Sequence, residues 1–254
     1  LAPPVMLDLS TFQLVFAFAT MFLGGLVKGT IGLGMKMVAL GLLATVMPLP
    51  TAITVIIVPG LASNAWQTFS GPPQRETLRR LWSFFALFCI GIWFGTEILV
   101  AGNPRLIAAI LGALLVTYAL YALAAPRLPH PGRHEVWLSP TIGSINGILA
   151  GMTGSDAVPG VPYMQCLQLN RDQLVQAMGL LFLLGSGVIA VAFTVQGIFT
   201  RDLAIASTAA TVPTLAGYWL GEKIRHRIPE EQFRHLMLIA LLVLGLYIVI
   251  SKLA

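Results

Sequence analysis

Charge is what this chain of 254 residues has least of: Asp, Glu, Lys and Arg make up 10% of it, against 57% apolar residues. Soluble domains carry about 25% charged residues, so the composition excludes an ordinary soluble domain. Alternation of period two is missing as well, which excludes the strands of a membrane barrel. Runs of about 20 apolar residues recur instead, the length an α-helix needs to cross a bilayer. Cysteine is nearly absent, and Cys89 and Cys166 both fall in apolar runs, so neither a disulfide framework nor a paired metal motif is expected. The four histidines, His130, His134, His226 and His235, fall in or beside connecting loops and read as solvated residues rather than metal ligands. The surplus of positive charge, +5, does not point to nucleic acid, because lysine and arginine in short loops are what membrane topology selects. The chain begins without Met, and its first apolar run is too long, and too glycine-rich at its end, for a simple signal peptide. Residues 1–254 are therefore read as mature sequence. The fold class expected is an all-α integral membrane protein embedded in a lipid bilayer, requiring no cofactor and no metal; the sequence is silent on oligomeric state.

What is concentrated is glycine. The stretch Gly24-Gly25-Leu26-Val27-Lys28-Gly29-Thr30-Ile31-Gly32-Leu33-Gly34-Met35-Lys36 sets five glycines and two lysines inside an otherwise apolar run. It returns 122 positions later in weaker form, pairing Gly25 with Gly147, Gly29 with Gly151 and Gly32 with Gly154. Between and after these motifs the pattern predicts helices near 11–27, 33–46, 52–69, 81–101 and 106–124, then near 136–151, 157–168, 172–198, 203–222 and 232–253. The run 52–69 contains Pro59-Gly60, which predicts a kink with freed carbonyls. Gly91 and Gly95 around Trp93 match Gly217 and Gly221 around Trp219, so a small-xxx-small contact face occurs in both halves. The chain divides into a first transmembrane repeat, 1–126, and a second, 127–254, across a linker marked by Pro126, Pro129, Pro131 and Gly132.

Loop charge orients the halves. Arg75, Arg79 and Arg80 follow the third run, after Gly71-Pro72-Pro73, whereas the matching loop of the second half has Arg201 beside Asp202. After the fourth run only Arg105 appears, whereas its counterpart loop has Lys223, Arg225, Arg227 and Arg234. Basic loops face the cytoplasm, so corresponding loops lie on opposite sides and the two repeats are inverted, the pattern of secondary transporters. Inversion needs an odd number of crossings per half, met either by five short spans or by three spans plus a re-entrant hairpin made of the first two elements. At about 21 and 18 Å the second element and its copy are short for a core about 30 Å thick, which favours half-helices meeting at the glycine motifs. Arg127 and Arg133 then lie in a cytoplasmic linker, with both termini outside.

A helix broken at membrane depth is tolerated only where it lines a protein cavity. The expected helix-break glycines are Gly25, Gly29, Gly32, Gly34, Gly147, Gly151 and Gly154, and half-helix N-termini there offer free N–H groups to an anion. Lys28 and Lys36 add full positive charge, the competing reading being that they snorkel to the interface. Thr30, Thr153 and Ser155 offer hydroxyls to the same ligand or to their own backbone. Asn64 and Gln67 either join the site or tie helices together. Asp156, aligned with Gly34, reads as the single carboxylate at membrane depth, paired with Lys28 or Lys36 or else carrying a proton. No catalytic residues are expected: Gly154-Ser155 and Gly185-Ser186-Gly187 lack a histidine base in the apolar runs, and one aspartate makes no dyad.

On the Gly25, Gly29, Gly32, Gly34 run with Lys28, the element of Asn64 and Gln67, and the second copy at Gly147, Gly151 and Gly154, the chain resembles the sulfite exporter TauE/SafE family along nearly its whole length. The resemblance implies secondary transport of a small sulfur-containing anion, such as sulfite, sulfoacetate or another organosulfonate, across the bacterial inner membrane. It departs from the family at Ser155-Asp156, where further small residues are usual. A passive anion channel, or a carrier for a different small organic anion, remains the alternative.

Overall fold

Lacking water to satisfy backbone groups, apolar runs of this length become helices, and the computed structural model, which describes residues 9–69, 75–124, 129–225 and 230–253, is built of such helices joined by short breaks and turns. In order the helices are α1 (Thr11–Ile31), α2 (Met35–Leu43), α3 (Leu49–Phe69), α4 (Arg75–Arg80), α5 (Trp82–Ala101), α6 (Pro104–Ala124), α7 (Glu135–Thr153), α8 (Gly160–Cys166), α9 (Arg171–Val195), α10 (Arg201–Arg225) and α11 (Glu230–Leu253). Among the described residues α1, α3, α5, α6, α9, α10 and α11 are long and apolar enough to cross a bilayer. The turn at Gly71-Pro72-Pro73, Arg127, His226, Arg227 and the boundary between residues 126 and 127 lie outside the described residues. Start signals are local: Ser10 and Gln13 cap α1 reciprocally, and Asn170 and Gln173 do the same for α9.

Several expectations are corrected. Arg75, Arg79 and Arg80 belong to a short helix, α4, rather than an open loop. Helix α1 runs four residues past Val27, while α2 and α8 shorten to 9 and 7 residues, about 14 and 11 Å. Helix α3 starts at Leu49, three residues before Ala52, and runs through Pro59 as one element. Proline removes one N–H and frees the carbonyl four residues back; here the Ser207 hydroxyl on α10 donates to that Val55 carbonyl at 3.0 Å and accepts from Val58 N–H at 3.1 Å.

Helices α1 and α2 form a hairpin that ends where it starts, since the Gln13 amide donates to Val46 O at 3.0 Å and Met35 packs on Gly24. Helices α7 and α8 double back in the same way, with Gly160 N–H donating to the Asn146 side chain at 3.0 Å and Ser139 meeting the Tyr163 hydroxyl. The rest of the architecture is reciprocal: α1 packs along α10 and α7 along α5, while α6 pairs with α11 and α3 with α9. Contacts fix the directions. Gly25 and Gly29 meet Thr214 and Tyr218, so α1 and α10 run parallel, as do α5 and α7 through Phe88–Gly147 and Ile92–Gly151. Helices α6 and α11 run antiparallel, with Arg234 bonding Ala122 O and Gly112 facing Gly245. One end of the bundle therefore holds Arg79, Arg80, Arg133, Arg225 and Arg234, and the other holds Asn103 and Arg201. Helix α1 begins at the second end and α7 at the first.

Backbone proximity explains the glycines at these contacts. A methyl carbon at Gly217 would lie 2.0 Å from Phe22 O, and one at Gly95 2.3 Å from Ile148 O, so these faces admit no side chain. Large fully buried side chains, among them Met21, Leu40, Phe84, Phe88, Leu115 and Phe193, fill the space between the pairs. Trp66, Trp82, Trp137 and Trp219 are exposed near helix termini, all at the arginine-rich end, where an aromatic belt belongs.

Candidate functional site

The chain leaves helical geometry at Gly32 and Gly34, with φ of 86° and 95°, and at Gly154, with φ of 76°. These values lie in the left-handed region, where a side chain is costly and glycine is not. Gly32 and Gly154 each close the preceding helix by donating to the carbonyl four residues back, Lys28 and Ala150, at 2.7 Å. The other four expected break glycines are corrected: Gly25, Gly29, Gly147 and Gly151 lie inside α1 and α7, where they admit α10 and α5 at backbone distance.

The two hairpin tips face each other across the molecule. Lys36, in the first turn of α2, forms an ion pair with Asp156, which stands just after the break in the second half. Lys36 Nζ also lies 3.5 Å from Phe182 O on α9. Lys28, in the last turn of α1, is 6% exposed, and its Nζ donates to Asn64 Oδ1 at 2.5 Å and Ser63 Oγ at 3.1 Å. Asp156 is held from behind by Asn146, fully buried, whose amide donates to Asp156 O at 3.1 Å while its carbonyl oxygen accepts from Gly160 N–H.

Lys28, Lys36, Asn64 and Asp156 line one cavity with Gly32, Leu33, Gly34, Met35, Met37, Tyr118, Ala157, Val161 and Phe182, about 450 Å³ with its open mouth counted. No side chain caps the N-terminus of α2, so its first N–H groups add partial positive charge there. A smaller apolar cavity, lined by Leu40, Ile53, Ile56, Ile57, Gly154, Ser186 and Ile189, adjoins Lys36 from the other side. Lys36 thus stands where the two spaces meet.

The remaining expected site residues lie outside the lining of the charged cavity. Thr30 bonds Leu26 O at 2.8 Å within its helix, and Thr153 bonds Leu149 O at 2.7 Å. Gln67 ties α3 to α9 through Val175 O at 3.2 Å. Ser155 is buried, and its hydroxyl has no hydrogen-bond partner among the described residues. Asp156 is also not the only carboxylate in the apolar runs. Glu97 falls in the last turns of α5, exposed on its surface near the helix end. Sequence reasoning misses Ser63 and Asn146; an asparagine inside an apolar run is the signal for the second, while hydroxyls are too common in such helices to mark the first.

An all-helical membrane protein with two broken helices meeting at a lysine-rich cavity has the features of a membrane transporter. The chain belongs to the sulfite exporter TauE/SafE family, whose model matches residues 17–248. This is a family of membrane anion exporters, and the match covers the second hairpin, the first from residue 17 onward, and every charged residue of the cavity. No curated protein and no solved structure matches the chain.

Proposed function

We propose that the protein is a secondary transporter moving a small sulfur-containing anion, sulfite, sulfoacetate or another organosulfonate, across the bacterial inner membrane, with Lys28 and Lys36 drawing it into the cavity between the helix breaks. The observation that carries this reading is Lys28, a buried lysine whose bonded partners, Ser63 and Asn64, are both neutral. A buried charge without a counter-ion is costly unless a ligand supplies one.

A midplane position is supported by the neighbours of the ion pair, since Lys36 reaches Gly60 near the middle of α3 and Asp156 touches Gly185 within α9. Inversion of the two repeats, 1–126 and 127–254, is supported by α1 and α7 beginning at opposite ends. The arginine-rich end, with its tryptophans, is then cytoplasmic. Counterflow in proteoliposomes tests the function: preloaded unlabelled sulfite or organosulfonate drives transient uptake of labelled anion through a carrier. Uptake without such exchange identifies a passive channel instead.

A further inference from the structure

We infer that this cavity selects singly charged anions and that Asp156 sets the limit, an inference that rests on the anion-site reading above and narrows its substrates to hydrogensulfite and monosulfonates, against sulfoacetate. Among the described residues three charged side chains line the cavity: Lys28, Lys36 and Asp156. Asp156 is committed to Lys36 in an ion pair with side-chain exposures of 3% and 12%. That leaves Lys28, whose single ammonium charge a bound anion would balance. An ammonium has three donors; two are used on Asn64 and Ser63, which leaves one for a ligand.

A second negative charge finds no comparable partner. The α2 N-terminus contributes about half a charge, and the Tyr118 hydroxyl is neutral. The rest of the lining, Leu33, Met35, Met37, Val161 and Phe182, is apolar. Bringing a doubly charged ion there strips water from a charge that nothing neutralises. An oxyanion head drawn to Lys28 and the helix end would set its tail against this apolar wall. The symmetry-related position of Asp156 in the first half is Gly34, so the carboxylate is an asymmetric addition that lowers the site by one charge.

The test is equilibrium binding to the full chain in detergent, at fixed neutral pH and ionic strength, with methanesulfonate and ethanesulfonate against sulfate and sulfoacetate. The singly charged pair binds at least about tenfold tighter to the unaltered protein. Asp156→Asn, with one more positive charge, reverses the order toward sulfate and sulfoacetate. Asp156→Asn combined with Lys36→Met returns the charge to one and restores the preference for methanesulfonate. Equal or tighter sulfoacetate binding by the unaltered protein overturns the inference while leaving the anion site standing, and so does Asp156→Asn with an unchanged order. Binding of none of the four, with Lys28→Met indistinguishable from the unaltered chain, removes the anion site and the inference together.

Discussion

At the scale of single residues, the two lysines have different tasks although they share a motif. Lys28 keeps a donor for a ligand, so Lys28→Met, which retains the apolar stem, weakens sulfonate or sulfite binding about ten- to a hundredfold, the worth of one charge-assisted hydrogen bond. Isothermal titration on the purified protein reads this directly, and unchanged affinity contradicts the role. Lys36 is committed to Asp156. Lys36→Met leaves a carboxylate buried without its partner and lowers stability by about 3–5 kcal/mol, visible in the thermal midpoint, and Asp156→Asn in the same chain recovers most of the loss. Asn146 supports the pair from behind, since its amide joins Asp156 O to Gly160 N–H. Asn146→Ala strands both groups and costs about 1–3 kcal/mol. Lys28, Lys36, Asn64 and Asp156 are legible as charged or amide groups in apolar runs, because burying them demands a reason. Which lysine meets Asp156 is not legible, since both lie within one turn of the same break.

Between elements, glycine has two uses that spacing alone does not separate. At Gly32, Gly34 and Gly154 it supplies a positive φ; at Gly25, Gly29, Gly147 and Gly151 it supplies the absence of a side chain. The difference appears in substitution. Gly217→Ala drives a methyl into Phe22 O and lowers stability by at least about 1–3 kcal/mol, whereas Gly187→Ala in α9, whose nearest neighbour would be Leu61 at 3.9 Å, gains about 0.5–1 kcal/mol. Thermal unfolding of the two variants side by side checks the pairing of α1 with α10; a harmless Gly217→Ala contradicts it. A second link joins the halves at the arginine-rich end, where Arg80 on α4 grips Glu135 at the start of α7 through two bonds of 2.5 Å, with His130 alongside. That carboxylate is the main cause holding the Arg80 guanidinium above its ordinary pKa. Because Arg80 is 37% exposed, water screens the pair, and Glu135→Gln changes stability by no more than about 1 kcal/mol.

For the whole molecule, sidedness is the property with a direct test. In the proposed topology single cysteines at Arg79, Arg133 and Arg225 react with a membrane-impermeant thiol reagent only after the cytoplasmic face is opened, and those at Asn103 and Arg201 react in intact cells. Positions 79 and 225 reacting from opposite sides would remove inversion. Sequence alone determined the all-helical membrane class, because a chain this poor in charge has nowhere else to place its backbone hydrogen bonds. It also pointed to the order of the long apolar helices and to the candidate charges, since runs, prolines and isolated polar residues are local signals. Helix α4, the length of α1 and the shortness of α2 and α8 lay beyond it, because helix ends depend on which neighbour satisfies the last carbonyls and amides. Only the tertiary structure decided that α1 lies along α10 and α7 along α5, that Ser207 repairs the gap at Pro59, and that Asp156 faces Lys36 across the two hairpin tips. Each of these joins residues at least 53 positions apart, a separation that local pattern does not encode and that packing alone resolves.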